Sequence, residues 1–291
     1  MKLTIKNINK SYGKKQALND VSFEMENGIY GLLGPNGAGK STLIRILAGV
    51  IEANSGEVMV NGKNRRSCDR EYRSKLGYLP QLLNFYPEFS GLDYLRFVAA
   101  LKGRIDSNTE NKIKDLAEQV GLSRDLHRKC INYSGGMKRR LGIVQALLND
   151  PEILILDEPT AGLDPHERIK FRNLVSIFSR NRTVLLSTHI VSDIDSIAKQ
   201  TIMIKRGRVG RMESNQHFVD AMEGKVWLLK MTVDELVAYQ NDHIISNVLP
   251  MDGRMEVRVV SDYKPSSDAV PTIPTLEDAY LYEFSTEGEI A

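Results

Sequence analysis

The sequence predicts a mainly parallel α/β domain, interrupted by a helical lobe and followed by a small α+β appendage. Three observations carry this expectation. Short buried apolar runs alternate with amphipathic segments of about ten to fifteen residues, the pattern of a parallel sheet covered by helices. A long stretch of helical periodicity, about 85–150, interrupts that alternation. Composition then changes near residue 210. The 291 residues suggest about two domains, read here as 1–210 and 215–291.

The elements follow in order. LTIKNI (3–8) and residues 21–25 alternate like strands of an antiparallel β subdomain at the N-terminus, and IYGLL (29–33) reads as a more buried strand. A glycine-rich turn at 34–39 leads into a helix over 41–48, ended by Gly49. GEVMV (56–60) is a strand followed by the hairpin dipeptide Asn61-Gly62. A short strand over 75–79 runs to Pro80 and Gln81. In the helical lobe, Met137, Leu141, Val144 and Leu148 fall on one stripe of a helix over 134–148. Strands at 153–156, 183–187 and 201–204 and helices at 165–178 and 190–198 complete the first unit. KRGRVGRMESN reads as a turn and linker. In the appendage, 226–231 and 254–260 alternate like strands and 275–284 reads as a terminal helix.

Bulk properties exclude several classes. Lys+Arg 39 against Asp+Glu 37 gives a net charge of +2, which argues against a strongly basic nucleic-acid binder. The charge is unevenly spread: residues 211–291 carry 6 basic and 15 acidic residues, net −9, and residues 1–210 carry 33 and 22, net +11. Such asymmetry points to two units with different tasks. No apolar run approaches the ~18 residues of a membrane span, and the polar start lacks a signal-peptide core, which places the chain in the cytoplasm. Cys68 and Cys130 have no CxxC partner, so a zinc site or a disulfide framework is not expected.

The chemistry begins at GPNGAGKS (34–41), a G-x-x-x-x-G-K-[ST] loop in the required strand-to-helix context. Gly34, Gly37 and Gly39 allow a tight turn whose N–H groups face inward as an anion site. Pro35, Asn36, Ala38 and Thr42 complete the nucleotide-facing segment. Lys40 supplies a point charge for the β- and γ-phosphates, and the Ser41 hydroxyl suits Mg²⁺. Strand ILIL runs into Asp157 and Glu158. Four apolar residues ending in two acids is an unusual pattern, because buried charges need partners. Beside a phosphate loop, the first acid holds Mg²⁺ and the second activates the attacking water. The competing reading has both acids facing solvent. His189 follows the next strand and falls at the same sheet edge.

These motifs, taken with YSGGM (133–137), AGLDP (161–165) and STH (187–189) in this order, resemble the ATP-binding subunit of an ATP-binding cassette (ABC) transporter over about residues 1–210. The resemblance implies a P-loop NTPase of ABC type that hydrolyses ATP with Mg²⁺. It assigns Lys40, Glu158 and His189 to catalysis. Ser41, Gln81 and Asp157 are assigned to the metal. Tyr12 stacks on adenine, while Ser134, Gly135, Gly136 and Asp164 meet nucleotide across a homodimer. Each short motif also has a structural reading: Ser134 and Asp164 are good helix N-caps, Tyr12 could be a turn residue and Gln81 an ordinary loop residue. The sequence departs from the family pattern at Tyr133 and Met137, and the latter lacks the amide of the usual glutamine. YSGGM with KRRL and the tail TLEDAYLYEF resemble the export branch of the family, ABC-2-like, associated with drugs and peptides. The resemblance further implies a separate transmembrane permease, a peripheral position on the cytoplasmic face of the membrane, and no nucleic-acid partner. The alternatives are a soluble ABC ATPase and a non-hydrolysing regulatory subunit.

Overall fold

A computed structural model describes residues 1–103, 106–251 and 253–285. The end of the predicted appendage, 286–291, lies outside the described residues. The chain divides into two compact units, Met1–Met212 and Glu213–Ala291.

The first unit opens with β1 (Leu3–Tyr12) and β2 (Lys15–Met25), paired antiparallel. The sheet continues through β4 (Ser55–Val60) and β5 (Lys63–Asn64) in the order β2-β1-β4-β5, after β3 (Gly28–Leu33) and α1 (Lys40–Leu47) have left it for the main layer. Leu3, Ile5 and Ile8 of β1 turn inward with Leu18, Val21 and Met25 of β2, a register shift between Ile5 and Ile8 keeping the latter on the inner face. Buried fully, each such side chain contributes roughly 1.5–3 kcal/mol. Leu43, Ile44, Ile46 and Leu47 of α1 pack into the same core, together with Leu32 and Ile155 of the main sheet.

The main sheet has six strands. After α2 (Asp69–Ser74) come β6 (Leu76–Leu79), then α3 (Gly91–Leu101), α4 (Thr109–Gln119) and α5 (Gly135–Leu147), which form the helical lobe. The chain returns through β7 (Ile153–Asp157), α6 (Pro165–Phe178), β8 (Thr183–Thr188), α7 (Val191–Asp195), β9 (Gln200–Lys205) and β10 (Arg208–Glu213). Strand order is β10-β9-β3-β8-β7-β6, and the pairs β9/β3, β3/β8, β8/β7 and β7/β6 are all parallel. The carboxyl ends of β3, β8, β7 and β6 therefore meet at one edge. That edge is where ligands bind in open α/β sheets.

The segment 205–213 corrects an expectation. It was expected as turn and linker, yet it forms the edge strand β10. Arg206 and Gly207 both take positive φ, +47° and +77°, the two-residue turn that matches strand twist. Val209 and Met212 pack against the core. Arg208 and Arg211 give the strand the charged character usual at a sheet edge, which hides its alternation. At the end of that expected linker α8 (Asn215–Asp220) begins, capped by Ser214.

The second unit carries β11 (Val226–Met231), α9 (Val233–Tyr239), β12 (Ile244–Met251), β13 (Arg254–Val260), β14 (Val270–Pro271) and α10 (Leu276–Ser285). Its antiparallel sheet runs β12-β13-β11-β14 over a small core of Leu229, Met231, Val257, Val259 and Ala269. Trp227 packs against this core and donates its indole N–H to the Ser261 carbonyl at 3.1 Å. Both cysteines are free thiols, Cys130 buried and Cys68 half-buried. Among the described residues, no helix is long and apolar enough to cross a membrane.

Candidate functional site

The phosphate loop leaves β3 at the centre of the sheet, and its glycines answer specific demands. A Cβ on Gly34 would stand 2.3 Å from the Ile204 carbonyl oxygen, so the loop threads directly beside β9. Gly39, the N-cap of α1, has φ +109°, and its Cβ would stand 2.7 Å from the Ala17 carbonyl oxygen. Gly207 approaches that same carbonyl, donates its N–H to the Ala38 carbonyl at 2.8 Å and accepts from the Asn19 N–H at 2.8 Å. Loop, β2 and the β9–β10 turn are thereby fixed together.

Around the loop lies a cavity of about 310 Å³. Tyr12, Lys15 and Ala17 line one side; Pro35, Asn36, Gly37, Gly39, Lys40, Ser41 and Thr42 form the floor; Gln81 and Glu158 close the other side. Gly34 and Ala38 shape the loop from beneath, Ala38 being buried. Tyr12, 49 % exposed, lines the cavity, and Lys10 Nζ lies over its ring at 5.4 Å from the centroid. Lys15 and Ala17 were not singled out in the sequence; SYGKK places Lys15 just beyond Tyr12, and the β1–β2 hairpin folds both over the loop.

Both acids at the end of β7 are buried, Asp157 at 2 % and Glu158 at 5 % exposure, so the solvent-facing alternative is excluded. Asp157 accepts from the Ser187 hydroxyl at 2.7 Å. Burial pushes its carboxyl above the ordinary range, opposed by the Ser187 hydrogen bond and by the cations Arg45 and Lys40. Glu158 takes φ +46°, an uncommon backbone for a non-glycine residue. Its N–H donates to both the Ser187 carbonyl and hydroxyl, at 3.1 and 3.0 Å. Its carboxylate stands between two groups: Oε1 lies 3.8 Å from Lys40 Nζ, and Oε2 lies 2.9 Å from His189 Nδ1. An ionised carboxylate only accepts, so Nδ1 carries the proton in this contact. His189 is otherwise exposed.

Lys40 Nζ donates to the Gly34 and Pro35 carbonyls. Burial lowers its pKa, with Glu158 and Asp157 pulling the other way. The ammonium is thus satisfied by its own loop, in the position where a phosphate oxygen would take over those donors. Ser41 borders Asp157 closely enough to favour its carboxylate. Asp157, Ser41 and Gln81 offer only oxygen donors, the set Mg²⁺ prefers. Among the described residues no three His, Cys, Asp or Glu side chains converge as a metal site of their own. Magnesium is commonly held by one or two carboxylates plus substrate phosphates, and this donor set fits that habit.

Ser134, Gly135, Gly136 and Asp164 do not line this cavity. Ser134 caps α5 by accepting from the Met137 N–H at 3.2 Å, and Asp164 caps α6 by accepting from the Glu167 N–H at 3.0 Å with Pro165 at the first helical position. A Cβ on Gly135 would meet nothing within 4 Å, so this glycine presents open backbone. Tyr133, the departure from the family pattern, is buried and donates to the Asp125 carbonyl at 2.7 Å inside the lobe. The structure adds residues whose contribution the sequence did not disclose. Ser187 bridges the two acids, and Arg139 of α5 donates to the carbonyls of Pro80, Gln81 and Glu158. An aromatic cluster in the lobe, with Phe85 edge-on to Tyr94 at 4.8 Å and Tyr86 edge-on to Phe97 at 5.5 Å, borders a second cavity of about 520 Å³.

Comparison with known proteins bears on the family of the chain. A family profile described as ABC transporter matches residues 18–161. The chain is 36% identical over 230 residues to the uncharacterized ABC transporter ATP-binding protein YxlF of Bacillus subtilis (strain 168), covering 79% of this chain and 76% of that protein. It is 38% identical over 203 residues to the Nod factor export ATP-binding protein I of Rhizobium johnstonii (strain DSM 114642 / LMG 32736 / 3841), covering 69% and 65% respectively. Among solved structures it is similar to the dimeric post-hydrolysis state of the ATP-binding cassette MJ0796 bound to ADP and Pi. The TM-score there is 0.67 at 26% identity, over 73% of this chain and 98% of that one. A buried acid pair facing a phosphate loop, a mainly parallel sheet and relatives of this similarity lead to one conclusion: the chain belongs to the ABC transporter ATP-binding proteins, and it is an ATPase.

Proposed function

We propose that residues 1–210 form the ATPase domain of a transporter complex and hydrolyse ATP at the cavity described above, with 215–291 an accessory unit. The observation that carries this reading is the Glu158 carboxylate, buried and set between Lys40 and His189. Tyr12 receives the adenine, since base–aromatic stacking tolerates varied geometry. Lys40 and the loop N–H groups take the β- and γ-phosphates. Asp157, Ser41 and Gln81 would hold Mg²⁺, which would draw charge from the phosphate oxygens. Glu158 accepts the proton of a water whose oxygen attacks the γ-phosphorus. The bond from that phosphorus to the β–γ bridging oxygen breaks, and ADP leaves. His189, holding Glu158 Oε2, keeps the carboxylate turned toward the attacking water. General-base help of this kind contributes about 10²- to 10⁴-fold.

One copy offers Ser134, Gly135 and Gly136 away from its own cavity, which supports completion of each site by the corresponding segment of a second copy. The dimeric cassette MJ0796 is a precedent for that association. ATP closes such a dimer through contacts its γ-phosphate makes only in the closed state, and hydrolysis removes them. The remaining partner is a separate transmembrane permease, with the chain peripheral on the cytoplasmic face. The aromatic surface of the helical lobe, next to the loop that begins at Gln81, suits its docking. Similarity to a Nod factor export protein supports export as the direction.

Glu158→Gln tests the reading. The variant should bind ATP, lose most hydrolysis and elute as an ATP-dependent dimer in size-exclusion chromatography. Wild-type turnover would remove Glu158 as the base.

A further inference from the structure

Arg139 is a buried cation that forms no ion pair with a carboxylate among the described residues. It sits on α5, one turn beyond the Ser134 cap, and is only 8 % exposed. Its Nη1 donates to the carbonyls of Pro80 and Gln81, each at 3.3 Å, and its Nη2 donates to the carbonyl of Glu158 at 3.2 Å. One guanidinium thus joins three separate segments: the helix that carries Ser134-Gly135-Gly136, the strand end that carries Gln81, and the strand end that carries Glu158. A fixed planar fork with donors on both sides can span such a gap, and an ammonium cannot.

The Glu158 end of this bridge is mechanically significant. With φ +46°, the residue occupies a backbone state that persists only when its surroundings over-determine it. The N–H side of that determination comes from Ser187. On the carbonyl side, the Ala161 N–H and Arg139 both donate to Glu158 O. Arg139 is the donor that reaches across from another element. Close packing leaves it little freedom: Gly142, one turn along α5, approaches so near that a Cβ there would lie 2.6 Å from Leu79 Cδ1 and 3.0 Å from Leu83 Cδ2. The helix therefore cannot shift against β6 without disturbing the bridge.

We propose that Arg139 is a positioning residue for hydrolysis, which fixes the backbone of Glu158 to the Gln81 loop and so sets the catalytic carboxylate in register with the nucleotide. It does not line the cavity and acts through the Glu158 main chain. The proposal rests on Glu158 being the base.

The test is a double-mutant cycle in steady-state ATPase assays on the full chain, using Arg139→Gln, Glu158→Gln and the pair. Arg139→Gln should lower kcat by about 10²-fold, the cost of a small misplacement at a reacting centre, with KM for ATP within about twofold of wild type. In the Glu158→Gln background, Arg139→Gln should lower the residual rate no further, because coupled residues are non-additive. Arg139→Lys keeps the charge without the fork and should not restore kcat. Thermal unfolding of each variant with ATP bound separates folding from chemistry, and Arg139→Lys, the milder change, keeps the test available if Arg139→Gln unfolds. Wild-type kcat in Arg139→Gln, a multiplicative loss in the pair, or full rescue by Arg139→Lys would each overturn the proposal. Wild-type turnover in Glu158→Gln alone would instead overturn the assignment of the base.

Discussion

Replacing Gly39 by alanine puts a methyl group where backbone already stands. Its Cβ would lie 2.7 Å from the Ala17 carbonyl oxygen and 2.9 Å from Leu18 Cδ2, at a φ of +109°. A residue with a side chain in such backbone costs roughly 1–3 kcal/mol, and overpacking adds about 1–3 kcal/mol. Ala17 cannot yield easily, because Gly207 presses on the same carbonyl and is itself bonded to Ala38 and Asn19. Relief must come from moving the loop away from β2. Tyr12 and Ala17 line the cavity wall on that side, so the displacement falls on nucleotide binding. Each ~1.4 kcal/mol that appears there is tenfold, and Gly39→Ala is expected to weaken ATP binding by at least about tenfold. Gly37→Ala is the control. At φ +81° it meets nothing within 4 Å, so it carries strain without the clash and should lose clearly less. Isothermal titration of MgATP into each full-length variant measures both. Wild-type affinity in Gly39→Ala, or equal losses in the two variants, would refute the argument from close approach.

Two further outcomes follow from ionisable side chains held by the fold. Asp278, fully buried, accepts from Arg258 Nη2 at 2.7 Å and from the Thr275 N–H at 2.8 Å. Burial alone would raise its pKa, but Arg258 and Thr275 outweigh it and hold the carboxyl below its usual value. The unfolded state then takes up the proton first as pH falls, so the contribution is complete above the ordinary carboxylate pKa of about 4 and is lost as pH drops through the folded value. Asp278→Ala should cost about 3–5 kcal/mol at pH 7. Urea unfolding followed by Trp227, the only tryptophan, reads this unit, and a gap from wild type that does not narrow in acid would count against the ion pair. Lys102 is an exposed residue whose ammonium is drawn onto the lobe, donating to the Gln145 carbonyl and to Asn149 Oδ1, both at 2.9 Å, and desolvation there lowers its pKa to about 8. Between about 8 and the ordinary 10.4 the unfolded state binds more protons, so stability should rise with pH over that window. Lys102→Met should abolish that slope in denaturant midpoints taken by circular dichroism from pH 8 to 10; parallel curves for the two proteins would refute it.

The parts of the site legible in the sequence are those whose chemistry resides in side chains or in glycine. GPNGAGKS announces itself because close approach to Ile204 and Ala17 forbids a Cβ at Gly34 and Gly39. ILIL-Asp-Glu stands out because acids rarely follow a buried strand. Arg139 was invisible for the opposite reason: its three partners are carbonyls, which every residue possesses, and in KRR it looks like surface charge. Ser187 lay inside the quoted STH motif, yet only the register Asp157↔Ser187 reveals that its hydroxyl serves both acids. Edge strands were hidden in the same way. β10 carries arginines, and β12, at one edge of the second sheet, contains Ser246, Asn247 and Pro250, which break the alternation its neighbour β13 keeps.

The left-handed backbone at residue 158 also bears on which side chain the position favours. Aspartate and asparagine enter that region more readily than glutamate. An aspartate would relax the main chain but fall one methylene short of the span between Lys40 Nζ and His189 Nδ1 that Glu158 now covers. Conformational ease and side-chain length therefore pull this position in opposite directions. The glutamate found there keeps the reach to both partners at the cost of backbone ease, as its proposed role as the base requires.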